Sequence, residues 1–217
     1  MLVLVPELNI MPTSQTANAA SGSSDTVLVA GYGTLLLRES LGDTVSQESA
    51  GEKEYIPIVI KGCKRLFNLF PDHYPAEDRL DRGPIERAAA NTVFAEGYSF
   101  NAVAFKVKTA ELEMLDKRER YYKRVSAPCF EFPSEKPLGE CYFYMSESDA
   151  RWIENDVNKL LPLWRDIVYA RVGSYRISEE FGQLYDATTW MADGKTLMVD
   201  YYKDYLVELS NLEAIRE

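Results

Sequence analysis

Histidine is almost missing from this 217-residue sequence; His73 stands alone. That excludes any two-histidine metal site. It also leaves a serine–histidine triad one residue to draw on, in Pro71-Asp72-His73-Tyr74-Pro75, which reads as an exposed turn. Cysteine is sparse too. Cys63, Cys129 and Cys141 lie far apart with no metal-like spacing. An odd, scattered set in strand-like surroundings predicts reduced, non-catalytic thiols and a cytoplasmic setting. Positive charge is short: 24 Lys and Arg against 34 Asp and Glu give a net charge of −10. A nucleic-acid backbone or an anionic membrane surface is therefore a poor partner. No run approaches the roughly 20 apolar residues that cross a bilayer. The opening Met1–Val5 run is short, has no basic residue before it and meets Pro6 and Glu7, so it does not read as a secretory signal.

What is present is a 46% hydrophobic content, enough for one cored domain with an appendage. Residues 1–25 read as a disordered leader of Ser, Thr, Ala, Asn and Gly. Val27–Ala30 predicts a strand that runs into Gly31-Tyr32-Gly33-Thr34-Leu35. Glycines there let another group approach the main chain, and such a turn gathers backbone N–H groups that suit a carboxylate or an oxyanion. A plain strand-to-helix turn without a ligand accounts for the same residues. A dinucleotide fingerprint does not fit, because its third glycine falls at Leu36.

Further strands are expected over 54–60 (at an edge or bulge because of Pro57), 62–70, 88–96 and 100–108, with Gly97 turning the chain, and over 121–127 and 139–145. Thr109 is the expected N-cap of a helix to about Glu119. Leu112 and Leu115 form its apolar stripe, and Glu119 continues that series. A carboxylate facing a core has its pKa raised toward the working range of a general base, with Tyr121 and Tyr122 beside it. A solvated, self-paired face over Lys117–Arg120 fits the spacing equally well. About six strands around one helix commonly close into a small barrel. From residue 146 the pattern turns helical, over 146–161, 162–172, 178–185 and 196–209, with a turn at Asp193-Gly194. The organisation read is a leader at 1–25, a barrel domain at 26–145 and a helical extension at 146–217.

Tyr32-Gly33-Thr34-Leu35 at a strand end, then Leu115-Asp116-Lys117-Arg118-Glu119 and Tyr122-Lys123-Arg124, resemble the gamma-glutamylcyclotransferase-like family in order and separation. The tail, with Phe181-Gly182, Thr188-Thr189 and Asp193-Gly194-Lys195-Thr196, is similar to bacterial members of unknown substrate. The resemblance implies an α+β fold: a small mixed β-barrel with flanking helices and no cofactor or metal. It implies a small gamma-glutamyl substrate held by Tyr32, Gly33, Thr34, Leu35 and Tyr122, with Glu119 as the acid/base that cyclises it to 5-oxoproline. Family members often carry Gly soon after the glutamate, where Arg120 and Tyr121 stand here, and this leaves the substrate open. Other readings are a non-catalytic ligand-binding or regulatory module on the same fold, or a cofactor-independent hydrolase. A homodimer is a possible assembly.

Overall fold

The computed structural model describes residues 26–42, 54–69, 85–120, 122–146, 160–204 and 206. The leader, His73 and most of the helix expected over 146–161 lie outside these residues.

Strand β1 (Thr26–Gly31) forms where four apolar residues precede the glycine turn. A single turn of 3-10 helix (Thr34–Leu36) and a short helix α1 (Arg38–Gly42) follow. The next two strands are longer than the sequence suggests. β2 (Ile56–Leu69) joins two expected strands, and β3 (Ile85–Lys108) joins two more. Gly62 and Gly97, at φ +78° and +80°, bulge the chain without ending the strands. Lys61 faces Ser99 while Cys63 faces Phe94, so the ladder slips at the bulge and resumes. Gly97 therefore does not turn the chain. Nor does Pro57 mark an edge: it pairs with Val103, and its carbonyl accepts from Phe132 N–H at 2.9 Å.

Helix α2 (Thr109–Arg118) buries Leu112 and Leu115, as the stripe predicts. Its N-cap is Lys108, whose N–H donates to the Glu111 carboxylate at 2.9 Å, because β3 stays extended to that residue; Thr109 is the first helical residue instead. β4 (Lys123–Glu131) and β5 (Pro137–Met145) complete a ring of pairings. β3 pairs with β1, β1 runs parallel to β5, β5 pairs with β4, β4 with β2, and β2 returns to β3. The expected small barrel thus takes the form of a curved, ringed sheet of five strands. Mergers across Gly62 and Gly97 account for the lower strand count.

The ring interior is filled by Ala30, Tyr32, Ile58, Ile60, Phe100, Ala102, Ala104 and Phe143. On the outer face Val29, Phe105 and Val107 meet Leu112 and Leu115 of α2. Period-2 alternation sends neighbours along β1 and β3 to the two sides. Cys63, Cys129 and Cys141 are buried free thiols. The register places Cys129 and Cys141 diagonally on adjacent strands, a proximity that their sequence separation hides.

The segment after residue 146 is woven into the sheet as well as packed on it. β6 (Leu160–Pro162), where a helix was expected to end, runs parallel to β3. Helices α3 (Trp164–Ile177) and α4 (Glu179–Ala187) form close to their expected places, and Ser178 caps α4 by accepting from Phe181 N–H. β7 (Thr189–Trp190) runs parallel to β2, and α5 (Met198–Tyr201) follows the Asp193-Gly194 turn. Ile167, Ala170, Phe181, Tyr185 and Met198 share one core cluster with Leu36 of the turn and with Phe67 and Val103 of the ring. Among the described residues no helix is long and apolar enough to cross a membrane.

Candidate active site

The turn after β1 is fixed by close approach rather than by unusual backbone angles. Gly31 does not sit at positive φ. A Cβ there would lie 2.5 Å from Leu35 Cβ, so glycine is needed for the chain to fold back on itself. Leu36 N–H donates to Gly33 carbonyl at 3.0 Å and Leu37 N–H to Thr34 carbonyl at 3.1 Å. The N–H groups of Thr34 and Leu35 precede the first of these bonds and lie at the start of the turn.

Arg65 holds the turn from within and was missed by the sequence reading. It is fully buried. Its guanidinium donates to Asn101 carbonyl at 2.8 Å, Asn101 Oδ1 at 2.9 Å, Thr189 Oγ1 at 2.9 Å and Tyr32 carbonyl at 3.3 Å. The Tyr185 ring stacks 4.1 Å away. Burial pulls its pKa down to about 10, so it remains a cation at neutral pH. Among the described residues no carboxylate forms an ion pair with it, and Asp186 acts on it only from a distance. The only signal is a basic residue amid the apolar run of β2.

Helix α3 fixes the turn from outside. A Cβ on Gly173 would fall 2.6 Å from the Leu36 carbonyl group, so the helix packs directly on the main chain of the turn. Tyr32 hydroxyl donates to Tyr144 carbonyl, and Tyr55 hydroxyl to Leu35 carbonyl at 3.2 Å.

The second motif separates into framework and site. Leu115 is core. Asp116 accepts from Arg124 Nη1 at 2.9 Å and from Tyr144 hydroxyl at 2.8 Å, fastening the helix to β4 and β5. Arg118 donates to Ser40 carbonyl at 3.0 Å and reaches Thr34 Oγ1 at 3.5 Å, tying the helix end to the turn. Its Nε lies 3.2 Å from Glu119 Oε1. Glu119 is the C-cap rather than the last helical residue: its φ and ψ are −88° and +31°. Leaving the helix swings its carboxylate toward the ring, with a side chain only 18% exposed. Desolvation raises its pKa, and Arg118 opposes part of the rise. Tyr122 N–H donates to Glu119 carbonyl at 2.8 Å, and Tyr122 hydroxyl to Ala90 carbonyl at 2.8 Å.

One cavity of about 100 Å³ collects these groups. Tyr32, Gly33, Thr34, Leu35, Glu119 and Tyr122, the six residues singled out from sequence, all line it. Phe67, Tyr144 and Asp166 add larger side chains to the wall beside small residues of β1 and β3; of these, Asp166 comes from the first turn of α3 and had no sequence signal. The volume suits a small head group rather than a whole peptide. A buried carboxylate facing a turn of backbone donors can move a proton while the turn receives negative charge. Among the described residues no cluster of three or more His, Cys, Asp or Glu could hold a metal ion.

The ringed sheet with its flanking helices is the gamma-glutamylcyclotransferase-like fold. A solved structure of a gamma-glutamyl cyclotransferase shares it at a TM-score of 0.52, with 12% identity, over 75% of this chain and 88% of that one. An uncharacterized human protein matches at 0.53, with 13% identity, over 76% and 89%. YkqA from Bacillus subtilis matches at 0.54, with 14% identity, over 74% of this chain and 53% of its own, so the chain spans about half of that protein. No family model matches the sequence, and no curated protein does.

Proposed function

We propose that this protein is a member of the gamma-glutamylcyclotransferase-like family that converts a gamma-glutamyl amide to 5-oxoproline and a free amine. The observation that carries the reading is the buried Glu119 carboxylate opening on the same small cavity as the Tyr32–Leu35 turn. The glutamyl head group lies on the turn. Glu119 removes a proton from the substrate's α-amino group. The freed nitrogen attacks the γ-carbonyl carbon, and negative charge gathers on the carbonyl oxygen. N–H groups of the turn receive that charge. The carbon–nitrogen bond to the leaving amine then breaks as Glu119 returns the proton to it. Ring closure is intramolecular, so no second reactant or redox partner enters. The cavity contributes by holding amine and carbonyl in reacting geometry.

The test begins with a screen of gamma-glutamyl amides for 5-oxoproline release. Glu119→Gln keeps the shape and loses the proton acceptor. Its kcat is expected to fall by roughly 10²–10⁴-fold with little change in KM. Folding stability near neutral pH holds or rises, because a carboxyl with a raised folded pKa gives up stability as pH climbs through that value. Glu113→Gln, on the exposed face of α2, serves as the control. Equal rates for all three proteins would remove Glu119 from the mechanism. Tight binding of an amide without turnover would replace the enzyme by a ligand-binding module.

A further inference from the structure

Arg65 is a fully buried cation, and among the described residues every group its guanidinium meets is neutral. These are the carbonyls of Tyr32, Asn101 and Tyr185, the Asn101 side-chain oxygen, and the hydroxyls of Thr188 and Thr189. Asp186 acts on it from a distance but already holds Arg171 at 3.0 Å and the Tyr175 hydroxyl at 2.8 Å. Buried charges are normally paired, so a cation held by dipoles alone leaves its charge uncompensated. One of its contacts leads toward the cavity. The Tyr32 carbonyl accepts from Arg65 Nη1 at 3.3 Å. Tyr32 and Gly33 line the cavity, and Arg65 does not. In a trans peptide the carbonyl and the following N–H point in opposite directions, so the Gly33 N–H is aimed away from Arg65. Among the described residues that N–H donates to no main-chain carbonyl. A hydrogen bond at the carbonyl end polarises the N–H end of the same peptide and strengthens it as a donor.

Resting on the reading above that the turn receives negative charge, we infer that Arg65 is a positioning residue that supplies the counter-charge from behind the cavity wall, through the Tyr32–Gly33 peptide. The chemistry it favours is a negatively charged oxygen on the Gly33 N–H. A carboxylate on the bound head group and the oxyanion of ring closure both present that oxygen. Glu119 and Asp166 belong to the same wall, so an anion enters against like charge and depends on a cation beyond it. The competing account is structural: Arg65 joins β2 to α4 and β7 and does nothing more. That account predicts equal losses for charged and neutral ligands when Arg65 is replaced.

Two ligand pairs separate these accounts. 5-Oxoproline and 5-oxoprolinamide share one lactam and differ in a carboxylate against a neutral amide; calorimetry gives their dissociation constants. Acetate and acetamide, followed by ligand-observed NMR, repeat the comparison without presupposing a glutamyl head. The quantity read is the amide-to-acid ratio of dissociation constants, in which a general loss of folding cancels. In Arg65→Met that ratio is expected to fall by about tenfold, the size of one modest charge–charge contact. Arg65→Gln is neutral but keeps an amide donor for Asn101, and it carries the same expectation if Arg65→Met does not fold. Arg65→Lys keeps the charge without the planar fork and is expected to hold most of the ratio. A fall in either ratio assigns the charge to a carboxylate. A fall of about tenfold in kcat at constant KM, with both ratios unmoved and Arg65→Lys spared, assigns it to the oxyanion. An Arg65-dependent ratio with no 5-oxoproline formed from any gamma-glutamyl amide would sink the cyclisation and keep the role of Arg65. 5-Oxoproline release with ratios and kcat blind to the charge at position 65 would overturn that role and leave the cyclisation standing. Equal losses for acid and amide, or a fall as large in Arg65→Lys as in the neutral variants, would also overturn it and leave Arg65 a structural residue.

Discussion

Replacing Arg65 by methionine tests whether the ring and the C-terminal segment form one cooperative unit. Methionine keeps much of the volume and the contact with Tyr185 but removes every donor. The cost follows from which acceptors are orphaned. Thr189 Oγ1 and Thr188 Oγ1 also donate, to Tyr185 and Leu184 carbonyls at 2.6 Å, so those hydroxyls stay partly satisfied. The Tyr185 carbonyl keeps its Thr189 donor. Asn101 loses most: both its carbonyl and its Oδ1 face the guanidinium, and Asn101 is fully buried. Each buried acceptor left bare costs about 1–3 kcal/mol, and the lost stacking of the cation on Tyr185 adds about 1 kcal/mol. Two such acceptors and the stacking together give an expected destabilisation of about 3–7 kcal/mol, a range that overlaps the cost of breaking other buried charged networks. Lys61→Met on the same strand is the control. Lys61 pairs with Glu135 at 3.0 Å, but both side chains are largely exposed, so its loss is worth less than about 1 kcal/mol. The assay is urea unfolding followed by tyrosine and tryptophan fluorescence. Equal midpoints for Arg65→Met and Lys61→Met would refute the network's structural role. A biphasic transition in Arg65→Met would show the C-terminal segment unfolding separately.

Two further outcomes follow from the same contacts. Arg118→Met removes the cation that holds the Glu119 pKa down, so that pKa rises further; the acidic limb of kcat/KM moves to higher pH, and an unmoved limb would detach Glu119 from the pH profile. Gly173→Ala drives a Cβ to within 2.6 Å of the Leu36 carbonyl group and displaces the site turn; a stability loss of about 1–3 kcal/mol and an activity loss larger than stability explains are expected, and near-wild-type kinetics would mean that the turn tolerates the shift.

The site was largely legible in sequence because its residues are local in pattern. A strand, a glycine turn and the Leu112/Leu115 stripe each need only a short window to be read, and they converge on one cavity. Glu119 is turned inward as the stripe suggested, but for a further reason. Helical spacing pointed it inward, but it is the end of the helix at Arg118 that delivers it to the cavity. Gly62 and Gly97 read as boundaries because glycine commonly marks a turn between strands. Here a bulge absorbs it, and the resumed β2–β3 pairing decides the outcome. β6 and β7 were invisible because a strand of two or three residues has no periodicity; only partners on β3 and β2 make them strands. Arg65 and Asp166 were missed for a related reason. A buried charge looks like a surface charge until the groups around it are known.

The contacts on the turn bear on how such a site would work. Three covalently distant parts fix it: Arg65 of β2 at the Tyr32 carbonyl, Arg118 of α2 at Thr34, and Gly173 of α3 against Leu36. Two of the three holding groups carry a full positive charge. Both act on the turn's acceptors, a carbonyl and a hydroxyl, and neither occupies one of its N–H groups. That arrangement suits preorganisation, in which donors wait in place for negative charge and no reorganisation accompanies the reaction. It also explains the distribution of charge around the cavity. Arg118 pairs with Glu119 from the side of the helix end, so the carboxylate is restrained by a cation that does not itself line the cavity. A cation inside the wall would depress the carboxylate's basicity and compete with the substrate's amino group for it. Arg118 stands behind Glu119 and Arg65 beneath the turn, and among the described residues no cation lines the cavity between them.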